Sequence, residues 1–154
     1  MAKGVRRQGR ELALKILYSL PDHEGGVLEA VFADFWRSFR FRDDLLGEAE
    51  ESGGELPPTP VRLFAEQLVS GVAEQLERID QMIAAHSDHW ALDRMARVDL
   101  ALLRLATFEL LCAADVPTSV VLNEAIEIGK RFGSRETPAF VNGILDQIAK
   151  QART

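Results

Sequence analysis

RVDLALLRLATFELLCAA, residues 97–114, is apolar on nearly every side. A helix of that composition has no solvated face to offer and is usually central and buried. The stretch therefore predicts a core helix around which the other elements pack. DVPTS, residues 115–119, breaks the run. Pro117 ends the helix, and Thr118 or Ser119 stands where a cap for the next one belongs. That next helix is expected over about Val120 to Phe132, closed by Gly133 as a C-terminal cap residue. Thr137 then reads as a cap and Pro138 as the opening of a last helix. Phe140, Val141, Ile144, Leu145 and Ile148 share one of its faces.

Upstream, the same periodicity recurs. Leu12, Ala13, Ile16, Leu17 and Leu20 form a stripe on a first helix, about Arg7 to Leu20, which Pro21 stops. Phe32, Phe35, Trp36 and Phe39 fall at i, i+3, i+4, i+7 on a second, about Val27 to Phe39. A third, long helix is expected from Pro60 to about His86, with Phe64, Leu68, Val72, Leu76, Ile79 and Ile83 repeating every three to four residues. Gly71 inside it costs roughly 1 kcal/mol unless close packing needs a small residue there. Ala91–Ala96 reads as a short helical turn. Between the second and third helices, about residues 43–59, the chain is rich in Gly, Pro, Glu and Ser without apolar periodicity, and reads as an acidic flexible loop. Nothing alternates with period two for long, and no 20–50-residue repeat is present. The fold class is thus all-α: a single-domain helical bundle of about seven helices over residues 1–154, a length suited to one domain.

Composition and motifs exclude much. Hydrophobic residues make up 47% and charged residues 27% of the chain, ordinary globular usage that argues against whole-chain disorder. One cysteine, Cys112, leaves no internal disulfide, redox pair or zinc ribbon; in the apolar FELLCAA it reads as a buried, inert thiol. His86 and His89 stand three apart near Asp88 and Asp93, but no Glu-x-x-His pair recurs on another helix, so no metal is expected. Gly129-Lys130 lacks the rest of a phosphate loop, and no Gly-x-Ser-x-Gly elbow exists. No cofactor and no catalytic residue is therefore expected, and the chain reads as a non-enzyme. No stretch approaches ~18 uncharged apolar residues and no export signal is seen, so a cytoplasmic protein without a membrane partner is expected.

The formal net charge is −6, which taken whole argues against a nucleic-acid partner. The distribution says otherwise. Asp43, Asp44, Glu48, Glu50, Glu51 and Glu55 carry −6 in one segment without Lys or Arg, so the rest of the chain is neutral overall. Residues 1–20 carry +4, with Arg6, Arg7 and Arg10 within about a turn of one another. Cations at a helix N-terminus oppose its dipole, at about 0.3–1 kcal/mol each, a cost that a bound polyanion offsets. A solvated tail is the equal alternative from charge alone. A second basic group, Lys130, Arg131 and Arg135, flanks the start of the last helix, whose backbone N–H groups suit a phosphate. Phe140 near it is placed to stack on a base or to belong to the core. In Phe35-Trp36-Arg37-Ser38-Phe39-Arg40-Phe41-Arg42 the aromatics fit a core stripe, so the arginines read as its wet face.

Taken together, several stations resemble the NusB family of bacterial transcription antitermination factors. They are RRQGRELALKILYSL (6–20), LVSGVAEQLERID (68–80), WALDRMARVDLALLRLATFELL (90–111) and DVPTSVVLNEAIEIGKRFGSRETPAFVNGILDQIA (115–149). The resemblance implies a small all-α domain of two three-helix-like halves without catalytic activity. It implies an RNA-binding adaptor that pairs with NusE, a small-subunit ribosomal protein, on the boxA RNA of ribosomal RNA leader transcripts. The pair joins the elongating RNA polymerase complex with NusA and NusG. Matched by position, it assigns Arg6, Arg7 and Arg10 to the RNA backbone, places Gly133, Ser134, Glu136 and Phe140 near RNA, and turns Tyr18 and Asp99 toward NusE. Lys130 joins this set on charge. Gln8, where many members are basic, and Gly9, where Ala is usual, predict weaker RNA affinity and a frayed first turn; Gly129 also replaces an Ala. Two alternatives stand beside this reading. One is an interaction domain related to ribosomal RNA cytosine methyltransferases. The other is a helical homodimer without an RNA role.

Overall fold

A computed structural model describes residues 4–20, 27–39, 56–88 and 91–153. The acidic segment 43–55, the Arg40–Arg42 end of the aromatic run, His23 and His89 lie outside the described residues. Within them, seven α-helices and no strand are present. They are α1 (Val5–Ser19), α2 (Leu28–Arg37), α3 (Thr59–Glu74), α4 (Leu76–His86), α5 (Arg97–Cys112), α6 (Thr118–Phe132) and α7 (Thr137–Ala152), with a 3₁₀ turn at Leu92–Arg94 before α5. No described helix is long and apolar enough to cross a membrane. The chain divides into two compact units, Met1–Ser70 and Gly71–Thr154.

In the first unit, α1 buries Leu12, Ala13, Leu14 and Ile16. Gly9 of α1 abuts Phe64 of α3: a Cβ there would lie 2.5 Å from the ring's Cδ2. α2 buries Phe32 and Phe35, and Phe39 beyond its end is buried as well. Trp36 is half-buried and donates its indole N–H to Glu66 of α3 at 2.7 Å. Phe35 and Trp36 meet edge to face, 4.9 Å between centroids at 81°. The aromatics are thus core, and Arg37 is an exposed residue paired with Asp34 at 2.9 Å.

In the second unit, α5 is the hub. It packs against α4, α6 and α7, and buries Leu100–Leu103, Leu105–Thr107, Glu109 and Leu110. Arg104 forms a two-pronged pair with Asp80 of α4, Nε–Oδ1 and Nη2–Oδ2 both 2.9 Å. α4 and α7 are linked by His86 Nε2 and Gln151 Oε1, 2.6 Å apart.

Several expectations need correction. The long third helix is two helices. Gln75 leaves the helical region at φ −107°, ψ 15°, while the bonds Gln75 N–H to Gly71 O and Ile79 N–H to Gln75 O persist around it. The apolar stripe runs through the break because periodicity reports a face, not backbone continuity. Cys112 is exposed, not buried. It lies at i+8 from Arg104 and i+4 from Phe108, both half-buried, on the one flank of α5 that is not sealed. α6 begins at Thr118, preceded by Pro117, and no side chain caps it. The Thr118 hydroxyl instead accepts a hydrogen bond from Arg153 at 3.3 Å.

Candidate nucleic-acid interface

The head of α1 sits over Phe64. The guanidinium carbons of Arg6 and Arg10 lie 5.7 and 5.8 Å from that ring's centroid, within the range at which a cation is drawn to an aromatic face. The two residues are one α-helical turn apart and so share a face. Their exposure differs sharply. Arg6 is exposed and Arg7 half-buried, whereas Arg10 is only 3% exposed. Arg10 is therefore built into the unit rather than offered to solvent. Glu11 and Lys15 on the same helix are buried too. Gly9 explains how the ring comes so close. It does not replace a helix-favouring residue idly, because a side chain at position 9 would displace Phe64 and with it the surface under Arg6. Tyr18 is half-buried in the last turn of α1.

The second locus is the joint between α6 and α7. Gly133 follows α6 and returns its N–H to Gly129 O at 2.9 Å. Its φ of −95° and ψ of −172° are extended, not left-handed, so backbone freedom is not why glycine stands here. Space is the reason. A Cβ at Gly133 would collide with the Thr137 side chain, 2.6 Å from its Cβ and closer still to its Oγ1. Gly129 serves the same side chain, with Thr137 Cγ2 at 3.1 Å and Leu102 Cδ2 at 3.4 Å from the site of a Cβ.

Thr137 is the centre of the joint. It is 1% exposed and is the first residue of α7, preceded by Glu136 at the cap position. Contrary to the expectation that it caps its own helix, its hydroxyl donates to Asp99 Oδ1 of α5 at 2.6 Å and accepts the Ser134 backbone N–H at 2.9 Å. Around that anchor the turn shows a polar outer face. Lys130, Ser134, Arg135 and Glu136 are exposed. The Ser134 hydroxyl donates to Glu136 Oε2 at 3.2 Å, and Lys130 pairs with Glu127 at 3.3 Å. Arg131 lies over the Phe132 ring at 4.9 Å. Phe140 is half-buried, while Val141, Ile144, Leu145 and Ile148 of the same helix are buried. One step in sequence turns Phe140 about 100° off that stripe, consistent with a residue at the border of the core.

Asp99 is half-buried in the first turn of α5, at the root of this joint. Sequence reasoning missed its partnership with Thr137. The two stand 38 residues apart, and a Thr at a helix start reads as a cap of its own helix.

The class defined by this fold is a small all-helical adaptor domain with exposed cations at a helix head and at a helix joint. A family model described as "NusB family" matches residues 7–150, and the chain belongs to that family. A transcription antitermination protein NusB of Syntrophotalea carbinolica is 61% identical over 153 residues, covering 99% of this chain and 97% of the relative. That relative is thus no larger methyltransferase, and the alternative drawn from those enzymes finds no support. Among solved structures, NusB of T. maritima matches with a TM-score of 0.76 at 32% identity, covering 100% of this chain and 96% of the other. The NusB in a crystal structure of NusB and NusE in complex with dsRNA matches with a TM-score of 0.74 at 22% identity, over 96% and 97% of the two chains. At that identity the likeness is one of fold.

Proposed function

We propose that the chain is a cytoplasmic, non-catalytic transcription antitermination factor. Paired with NusE, it binds boxA RNA of ribosomal RNA leader transcripts and joins the elongating RNA polymerase together with NusA and NusG. The observation that carries this is the cationic head of α1, with Arg6 exposed and Arg7 half-exposed, in a chain of the NusB family. Arg6 and Arg7 contact RNA phosphates. Arg10, buried against Phe64, fixes the helix head. Lys130, Gly133, Ser134, Glu136 and Phe140 form the RNA-proximal joint, and Tyr18 faces NusE. Residues 1–154 act as a single NusB-like RNA-binding domain.

The test is a filter-binding titration of boxA RNA against salt. Each phosphate contact on single-stranded RNA contributes roughly 0.7 to the log–log slope. The Arg6→Ala, Arg7→Ala double variant is therefore expected to bind more weakly, with a slope reduced by roughly 1.4. Unchanged affinity and slope refute the assignment.

A further inference from the structure

We propose that Asp99 is a positioning residue for RNA binding, acting through the Thr137 hydroxyl on the Gly133–Glu136 turn. This deepens the function proposed above and rests on it.

A threonine hydroxyl has one proton to give and lone pairs to receive. At Thr137 the proton is committed to the Asp99 carboxylate at 2.6 Å, a short bond of the charge-assisted kind. That fixes the orientation of the lone pairs, one of which receives the Ser134 N–H at 2.9 Å. Across the turn the Thr137 N–H also donates to Ser134 O at 3.2 Å. Gly133 and Gly129 lie close against this side chain, near enough that a Cβ at Gly133 would collide with it. The chain of contacts thus runs from α5 through a buried hydroxyl to the backbone of Ser134. The Ser134 hydroxyl lies 3.3 Å from the Thr137 hydroxyl on its inner side and donates to Glu136 Oε2 at 3.2 Å on its outer side. In the proposal Asp99 acts through Thr137 rather than on the RNA directly. It decides what Ser134, Arg135 and Glu136 present.

The measurement is the affinity of the full-length chain for single-stranded boxA RNA across a salt series, alongside melting by circular dichroism. Thr137→Val keeps the branched shape and removes the hydroxyl. It is expected to bind about tenfold more weakly, the scale of one hydrogen bond to a charged group. Its salt slope stays at the wild-type value, because no phosphate contact is lost. Thr137→Ser restores the hydroxyl and binds within about twofold of wild type, while Asp99→Asn, a weaker acceptor, falls between. Hydrogen exchange at the Ser134 amide, faster in Thr137→Val and Asp99→Asn, reads the turn directly even if a variant melts early. Folded Thr137→Val and Asp99→Asn with lowered melting points but wild-type RNA affinity overturn the proposal and leave a purely structural bond. Asp99→Asn that loses NusE binding while keeping RNA affinity overturns it in favour of a partner contact. A wild-type chain that binds no boxA RNA at any salt, either alone or with NusE added, instead sinks the function proposed above, and this inference with it.

Discussion

Arg153, the residue at the C-terminal cap of α7, makes five hydrogen bonds from its guanidinium. Its Nη2 donates to the carbonyls of Glu109 and Ala113, both at 3.0 Å, and its Nε to Leu110 O at 3.0 Å. Its Nη1 donates to Val116 O at 2.6 Å and to the Thr118 hydroxyl at 3.3 Å. All five N–H donors of the guanidinium are thereby used. Glu109 and Leu110 belong to the last turn of α5, where carbonyls run out of helical partners; Glu109 O also accepts the Ala113 N–H at 3.0 Å and Ala113 O the Val116 N–H at 2.9 Å in the turn into α6. A single fork from α7 thus satisfies the end of the core helix and fixes the start of the next.

The magnitude follows from the geometry. Hydrogen bonds to a charged group are worth about 1.5–3 kcal/mol each when buried. Arg153 is half-buried, and water replaces part of what is lost. Arg153→Met, which keeps the aliphatic stem, is therefore expected to cost about 2–3 kcal/mol in all. For a chain of this size that lowers the melting point by roughly 5–10 °C. Arg153→Lys retains the charge, favourable at a helix C-terminus by about 0.3–1 kcal/mol. An ammonium cannot reproduce the planar fork, so roughly half the loss remains. Urea unfolding followed by circular dichroism measures both, with the slope m unchanged if only stability moves. Arg153→Lys at wild-type stability, or Arg153→Met within about 0.5 kcal/mol of it, refutes the idea that the fork itself carries the turn.

Three further substitutions test packing. Gly71→Ala places a methyl against the Phe108 ring, 2.8 Å from Cε2 and closer to two other ring atoms; overpacking costs about 1–3 kcal/mol against a helix-propensity gain of about 1, so urea unfolding should show a net loss, relieved in the Gly71→Ala, Phe108→Leu double variant. Thr107 is fully buried in α5 and its hydroxyl has no hydrogen-bond partner; Thr107→Val should raise stability by about 1 kcal/mol, seen as a higher urea midpoint. Gly9→Ala forces Phe64 aside, so it should lower the melting point despite the better helix former and weaken RNA binding by moving Arg6; a more stable variant with wild-type RNA affinity refutes the close-packing account.

What the residues alone reveal depends on how local the cause is. The core helix is legible because Leu100 to Leu110 is apolar on nearly every side, and each helix boundary near a proline or glycine falls within a few residues of the expected place. The break at Gln75 is not legible, since the apolar stripe from Val72 to Ile83 continues across it. Cys112 is misread because hydrophobic neighbours in sequence are not neighbours on a helix surface. Gly9, Gly129 and Gly133 look like losses of helix propensity or a chain reversal. Each is instead the space that one specific side chain fills, Phe64 in the first case and Thr137 in the other two, and no sequence period reports such a pairing. The arginine cluster is visible at once. The burial of Arg10 is not, because only the fold places Phe64 beneath that side chain.

That burial changes what the charge of the chain means. The segment 43–55 accounts for the whole formal charge of −6, and the first twenty residues carry +4. Of the five basic residues in that opening stretch, Arg10 and Lys15 are buried and Lys3 lies outside the described residues. The solvent-facing cations described on α1 are thus Arg6 and Arg7. Two phosphate contacts give a salt slope of roughly 1.4, against about 7 for a binder making ten such contacts. An electrostatic contribution of that size does not hold RNA tightly at physiological salt. On the proposed function, the rest of the affinity is assigned to the α6–α7 joint, where Lys130, Arg131 and Arg135 are exposed, and to the protein partner. With only Arg6 and Arg7 offered to solvent by the described part of α1, the proposed pairing with NusE predicts that affinity for boxA RNA rises when NusE is added and depends on salt more steeply in the pair than alone.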